Sequence, residues 1–201
     1  TSLSMTPTGN PATAKSSCRH TTKKSKSSAQ LRKYGEGVFI EFNRDTIDAW
    51  LREPVLGDLS QKYAQCYKEF CESKEWTVTT LRDARYVLMH TFAHLLIKQM
   101  SMSSGYSSSA IRERIYFGDD MSGVLLYTGS ADKEGSLGGL VELGNIDQLI
   151  VLMKDAFQEA LVCTNDPECL NNVPAGNNSN GAACHSCCMI SETACENGNR
   201  M

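Results

Sequence analysis

LRDARYVLMHTFAHLLIKQMSM, residues 81–102, is the stretch that decides the fold. Leu81, Ala84, Leu88, Phe92, Leu95 and Met102 recur at helical spacing, and apolar residues fill most positions between them. That face is too wide for a surface helix, so the spacing predicts a helix in the middle of the core. Thr80 is a suitable cap with Asp83 in the first turn, and Gly105 a natural C-terminal stop. The most apolar part, Val87 to Met100, carries His90, His94 and Lys98 and falls short of the ~20 apolar residues of a bilayer span. No membrane association is expected.

Upstream of this helix, Gly37 to Phe42 alternates and is rich in branched and aromatic residues, which predicts a strand. Asn43 to Glu53 places Ile47, Trp50 and Leu51 on one side of a short helix stopped by Pro54. Leu59 to Trp76 is an amphipathic helix by the spacing of Leu59, Tyr63, Cys66, Tyr67 and Phe70. Downstream, Ser107 to Ile111 has the pattern of a capped helical turn. Arg112 to Phe117 then predicts a strand with Ile115 and Phe117 inward, and Gly123 to Thr128 a strand of the buried type. A glycine loop, Glu134 to Gly139, leads to a helix capped by Asn145 and running to about Leu161, with Leu149, Leu152, Met153, Ala156 and Ala160 inward. Strands mixed with long helices make the fold class α+β (mixed α/β), ending in a loop-rich cysteine segment.

The 201 residues have an ordinary soluble composition, 41% hydrophobic and 21% charged, sufficient for a core without disulfides. The net charge of −3 conceals an asymmetry: residues 1–35 hold seven bases and no acid, leaving a balance of −10 on the remainder. Residues 1–33 are therefore expected to be a disordered basic arm or linker, able to attract phosphate backbones. Residues 34–162 are the expected α/β core, and 163–201 a cysteine-rich segment packed on it. Nothing matches the phosphate-binding pattern G-x-x-x-x-G-K-[ST], so a motor ATPase is not expected in this chain. The N-terminal stretch has no charged-then-apolar leader pattern, so a secretory signal is not expected within it. The chain opens on Thr1 and stops at Met201 just behind the cysteine run, so both ends are expected to be cut from a longer protein.

Six of the nine cysteines, Cys163, Cys169, Cys184, Cys187, Cys188 and Cys195, crowd into the last forty residues. An odd count gathered at one end fits a metal knuckle in a reducing, cytoplasmic setting better than a secreted disulfide framework. Cys184-His-Ser-Cys187 supplies two thiolates from one turn, Cys163 and Cys169 offer a second pair around the Asp166-Pro167 turn, and Cys195 is a fifth candidate. A tetrahedron needs four of Cys163, Cys169, Cys184, Cys187 and Cys195, and the spacing leaves the choice open. A nearly all-thiolate set implies structural zinc. Cys188, next to Cys187, is expected in the wall, and His185 pointing away.

Other features are weaker. His90 and His94 have metal-binding spacing, but a zinc peptidase needs Glu where Thr91 stands, so satisfied core histidines are expected. Arg112 and Arg114 are candidate contacts to a nucleic acid or partner, against the duller expectation of an exposed strand with alternating charges. Gly138 and Gly139 are candidates of the same kind, against simple close packing. No serine sits in a nucleophile elbow, and no enzyme is expected.

Four motifs occur in order: Leu88 to Ile97 (LMHTFAHLLI), Gly105 to Tyr116 (GYSSSAIRERIY), Glu134 to Val141 (EGSLGGLV), and Gly181 to Cys187 (GAACHSC) followed by Glu192 to Arg200 (ETACENGNR). Together they resemble the C-terminal zinc-binding domain of MrfA-type DNA repair helicases, found also in the DrmB family of DISARM phage-defence systems. The resemblance covers roughly residues 34–201, and the lead-in from Gly35 to Trp50 is similar to the DrmB version. It implies zinc at the cysteine cluster and work beside a superfamily 2 helicase on DNA, with any motor activity belonging to that partner. The alternatives are the zinc domain of a fused MrfA-type repair helicase and, less favoured, a phosphodiester hydrolase using His90, His94 and the glycine loop.

Overall fold

The computed structural model describes residues 35–78, 82–118, 121–128, 138–175, 180–181 and 183–200. The basic arm, Thr80, Asp119-Asp120 and the glycine loop up to Leu137 lie outside the described residues. Strand β1 (Gly37–Glu41) is followed by helices α1 (Arg44–Leu51), α2 (Pro54–Ser73) and α3 (Ala84–Ser104). Strands β2 (Ile111–Phe117) and β3 (Ser122–Thr128) come next, then α4 (Gly139–Leu143), α5 (Ile146–Ala160) and a 3-10 turn at Cys169–Asn171. The three strands form one antiparallel sheet in the order β1-β3-β2, with Ile40 opposite Val124 and Glu113 opposite Leu126. The α+β class is what the sequence pattern indicates.

Helix α3 is the hub of the molecule. It packs on the sheet through β2 and β3, and on α2, α4 and α5. Met89, Ala93, Leu96, Ile97 and Met100 on it are completely buried, as the unbroken apolar pattern demands. Ile111, Val124, Leu126 and Leu140 close over them, with Leu149 and Leu152 of α5. Ile190 and Ala194 of the cysteine segment join the same cluster.

Local chemistry explains most element ends. Asn43 caps α1 by accepting from Thr46 N–H at 2.9 Å, and Asn145 caps α5. Gly105 ends α3 at φ +74°, the left-handed region that favours glycine. Three expectations require correction. Pro54 opens α2 instead of merely ending α1, because a proline has no N–H to lose at the first helical position. The cap of α3 is Asp83, whose carboxylate accepts from Arg85 and Tyr86 N–H, and the far-end Met102 is 63% exposed. Ser107 to Ala110 is a single turn closed by Ala110 N–H on Ser107 C=O, since Ile111 is already drawn into the sheet.

Candidate metal centre

Four thiols converge at the end of α5. That helix stops at its C-cap Leu161, and the chain delivers Cys163 two residues later. Asp166 then turns the chain: its side chain accepts from Glu168 N–H at 3.0 Å and its carbonyl from Cys169 N–H at 3.1 Å. This places Cys169 at the head of the 3-10 turn. From the other direction, the Cys184 carbonyl accepts from Cys188 and Met189 N–H, closing the turn that carries Cys187. Lys98 on α3 donates to the carbonyls of Ser186 at 2.7 Å and Cys187 at 3.1 Å, pinning that turn to the central helix.

The sulphurs of Cys163, Cys169, Cys184 and Cys187 all lie within 4.8 Å of one another. Cys163 to Cys184 is 3.6 Å, Cys169 to Cys187 3.7 Å, and Cys184 to Cys187 3.6 Å. Zinc–thiolate bonds of about 2.3 Å put the sulphurs of a tetrahedron roughly 3.8 Å apart, so these spacings fit zinc. They are far beyond a disulfide bond of ~2.05 Å, and the four cysteines are free thiols. Backbone N–H donors of Cys187 and Ser186, acting against burial, lower the Cys184 thiol to about 7. Burial raises those of Cys169 and Cys187. A divalent cation is what allows such a set to ionise together. An all-thiolate tetrahedron keeps no position for water or substrate, which is the form of a structural zinc site.

Cys188 is buried in the wall beside the cluster, and burial pushes its thiol up to about 12. His185 is exposed. Cys195 is apart from the four and sits with His90, His94 and Glu113. His90 Nε2 is 3.1 Å from Cys195 Sγ and 2.9 Å from Glu113 Oε1, and His94 Nε2 is 3.3 Å from that same oxygen. Burial lowers the His90 imidazole against the pull of Glu113. Burial alone would raise Glu113, but hydrogen bonds from His90 and His94 prevail and hold its carboxyl at about 2. Burial and Glu113 push the Cys195 thiol up to about 12.

Arg112 and Arg114 are exposed on β2 and line a shallow surface pocket with Thr193 and Glu196. Gly138 and Gly139 begin α4, where Glu36 accepts from the N–H groups of Gly138, Leu140 and Val141. That carboxylate occupies the amide cluster at the head of α4, where a nucleic-acid or partner contact through Gly138 and Gly139 would need those N–H groups. Two buried carboxylates, Glu36 and Glu113, stand outside the residues expected from the sequence. Glu36 carried no signal. Glu113 did, because alternation places it on the inward side of β2 with Ile111 and Ile115.

Residues 92–188 match the family model of the MrfA Zn-binding domain. Over 170 residues, 84% of this chain, the sequence is 56% identical to the DISARM protein DrmB of Bacillus paralicheniformis. The chain spans 30% of the length of that relative.

Proposed function

This chain carries a DrmB-like MrfA zinc-binding domain, and on that premise we propose that it is a non-catalytic accessory module of a DISARM-type system, working on DNA beside a superfamily 2 helicase. Cys163, Cys169, Cys184 and Cys187 hold the zinc in this reading. The ion supplies a cross-link and no reaction chemistry. The four sulphurs within 4.8 Å of one another carry the proposal, because they close the coordination sphere with protein thiolates alone.

The work left to the chain's own residues is presentation of a surface. The cross-link joins the end of α5 to the Cys184–Cys187 turn, which Lys98 fastens to α3. Around this frame, Arg112 and Arg114 present two cations on an otherwise acidic body, suited to phosphate or to an acidic face of the partner. The hydrolase alternative lacks support: both histidine rings have 0% exposure and point at Glu113, leaving no approach for a phosphodiester. Localisation in the cytoplasm belongs to the same proposal; among the described residues, no helix is long and apolar enough to cross a membrane.

The test is co-purification of the full chain with a superfamily 2 helicase of a DISARM-type system, followed by ATP-dependent DNA unwinding with and without the chain. Cys184→Ser is expected to lose the zinc of the four-cysteine centre and helicase association together. Retained association and undiminished stimulation in a Cys184→Ser chain that has lost that ion would refute the reading.

A further inference from the structure

We propose that His90, His94, Glu113 and Cys195 form a second, wholly buried zinc site, distinct from the four-cysteine centre. The two histidines come from successive turns of α3, the glutamate from the inward face of β2, and the cysteine from the C-terminal loop. Two nitrogens, one oxygen and one sulphur lie within 4.8 Å of one another. Zinc–nitrogen, zinc–oxygen and zinc–sulphur bonds of about 2.0–2.3 Å put mixed donors of a tetrahedron roughly 3.2–3.6 Å apart. The separations of 2.9, 3.1 and 3.3 Å match a set drawn slightly inward.

Hydrogen bonding alone satisfies this cluster poorly. A neutral imidazole has one N–H, so His90 Nε2 serves either Cys195 or Glu113 but not both. A cation that takes His90 Nε2, His94 Nε2 and Glu113 Oε1 at once removes the competition for a single proton.

The surroundings of Cys195 supply an independent observation. Its sulphur accepts from two backbone N–H groups, Asn197 at 3.3 Å and Asn199 at 3.1 Å, which fix its direction and would support the thiolate that a bound metal creates. The loop is wound to make this possible. Gly198 and Asn199 both adopt positive φ, and the Asn199 side chain clamps Ile190 through its N–H at 3.1 Å and its carbonyl at 2.7 Å. A divalent cation bound through these four atoms would displace the Cys195 proton on binding and would pair with both the sulphur and the Glu113 carboxylate in a buried site.

All four donors come from the protein and are buried, so the site has no open position and is structural. It would join α3, β2 and the last residues of the chain, independently of the four-cysteine centre. The span matched by the family model, 92–188, contains neither His90 nor Cys195.

Zinc stoichiometry of the full chain, purified without chelator and measured by elemental mass spectrometry, tests this directly. Two equivalents are expected, falling to one in Cys195→Ser and in Glu113→Gln. X-ray absorption at the zinc edge of the unmodified chain guards against variants that fail to fold. The two sites together predict five sulphurs and three nitrogen or oxygen donors over two ions. One zinc per zinc-saturated chain with sulphur ligands only, or two zincs retained by Cys195→Ser, would overturn the proposal.

Discussion

Replacing Glu36 by glutamine removes one charge and changes two acceptor atoms into an acceptor and a donor pair. In the native chain Oε1 accepts from Tyr106 O–H at 2.8 Å and Leu140 N–H at 3.2 Å. Oε2 accepts from Gly138 N–H at 2.7 Å and Val141 N–H at 3.4 Å. The best glutamine orientation turns its oxygen to Gly138 and Val141. The amide NH2 then meets Tyr106, whose hydroxyl can reverse and accept, while Leu140 N–H is left without a partner. Leu140 is completely buried and Glu36 is 8% exposed, so water cannot substitute. An orphaned buried donor costs about 1–3 kcal/mol, and the loss of charge weakens the bonds that survive. Glu36→Gln should therefore destabilise the chain by about 2–3 kcal/mol, and Glu36→Ala by more, since all three amides lose their acceptor. Urea denaturation of the zinc-loaded chain measures this as a lower midpoint at constant slope, and amide exchange at Leu140 should accelerate in parallel. A glutamine variant within about 0.5 kcal/mol of the parent, with Leu140 still protected, would refute the reasoning.

Other outcomes follow from the same contacts. Leu96→Ala removes a fully buried side chain at the centre of α3 and should cost about 2–5 kcal/mol in denaturant unfolding. Gly105→Ala meets no neighbour, so its loss of about 1 kcal/mol arises from the left-handed φ of +74° alone; thermal unfolding reads it, with zinc content unchanged. Lys98→Met breaks the two bonds to the Cys184–Cys187 turn, and zinc release to a chelator should quicken about fivefold, equivalent to roughly 1 kcal/mol for a partly exposed amine. Arg112→Gln with Arg114→Gln should leave stability within about 0.5 kcal/mol. If both side chains meet phosphates, the salt dependence of DNA binding by the helicase complex should become shallower by about two counterions.

Local chemistry made most of the elements legible. The apolar run of α3 announced its place in the core, and Asn43, Asn145 and Gly105 marked ends that the backbone confirms. Pro54 misled because proline both ends one helix and begins another, and only the three-dimensional path separates the two. The gathering of Cys163 and Cys169 with Cys184 and Cys187 is a tertiary contact across a loop, and spacing alone does not distinguish Cys195 from them. What sets Cys195 apart is the packing of its turn beneath α3, where Ile190 and Ala194 enter the core. Glu113 illustrates a different limit. Strand alternation already placed it inward, but a charged residue between two arginines suggested solvent, and only the pair of histidines facing it explains why it is buried.

The zinc centre itself is best tested by anaerobic alkylation of the full chain, mapped residue by residue by mass spectrometry before and after chelation. The account predicts that Cys163, Cys169, Cys184 and Cys187 resist modification together and become reactive together as one zinc is withdrawn. Free alkylation of Cys184 and Cys187 in the folded chain before any chelator is added would contradict it.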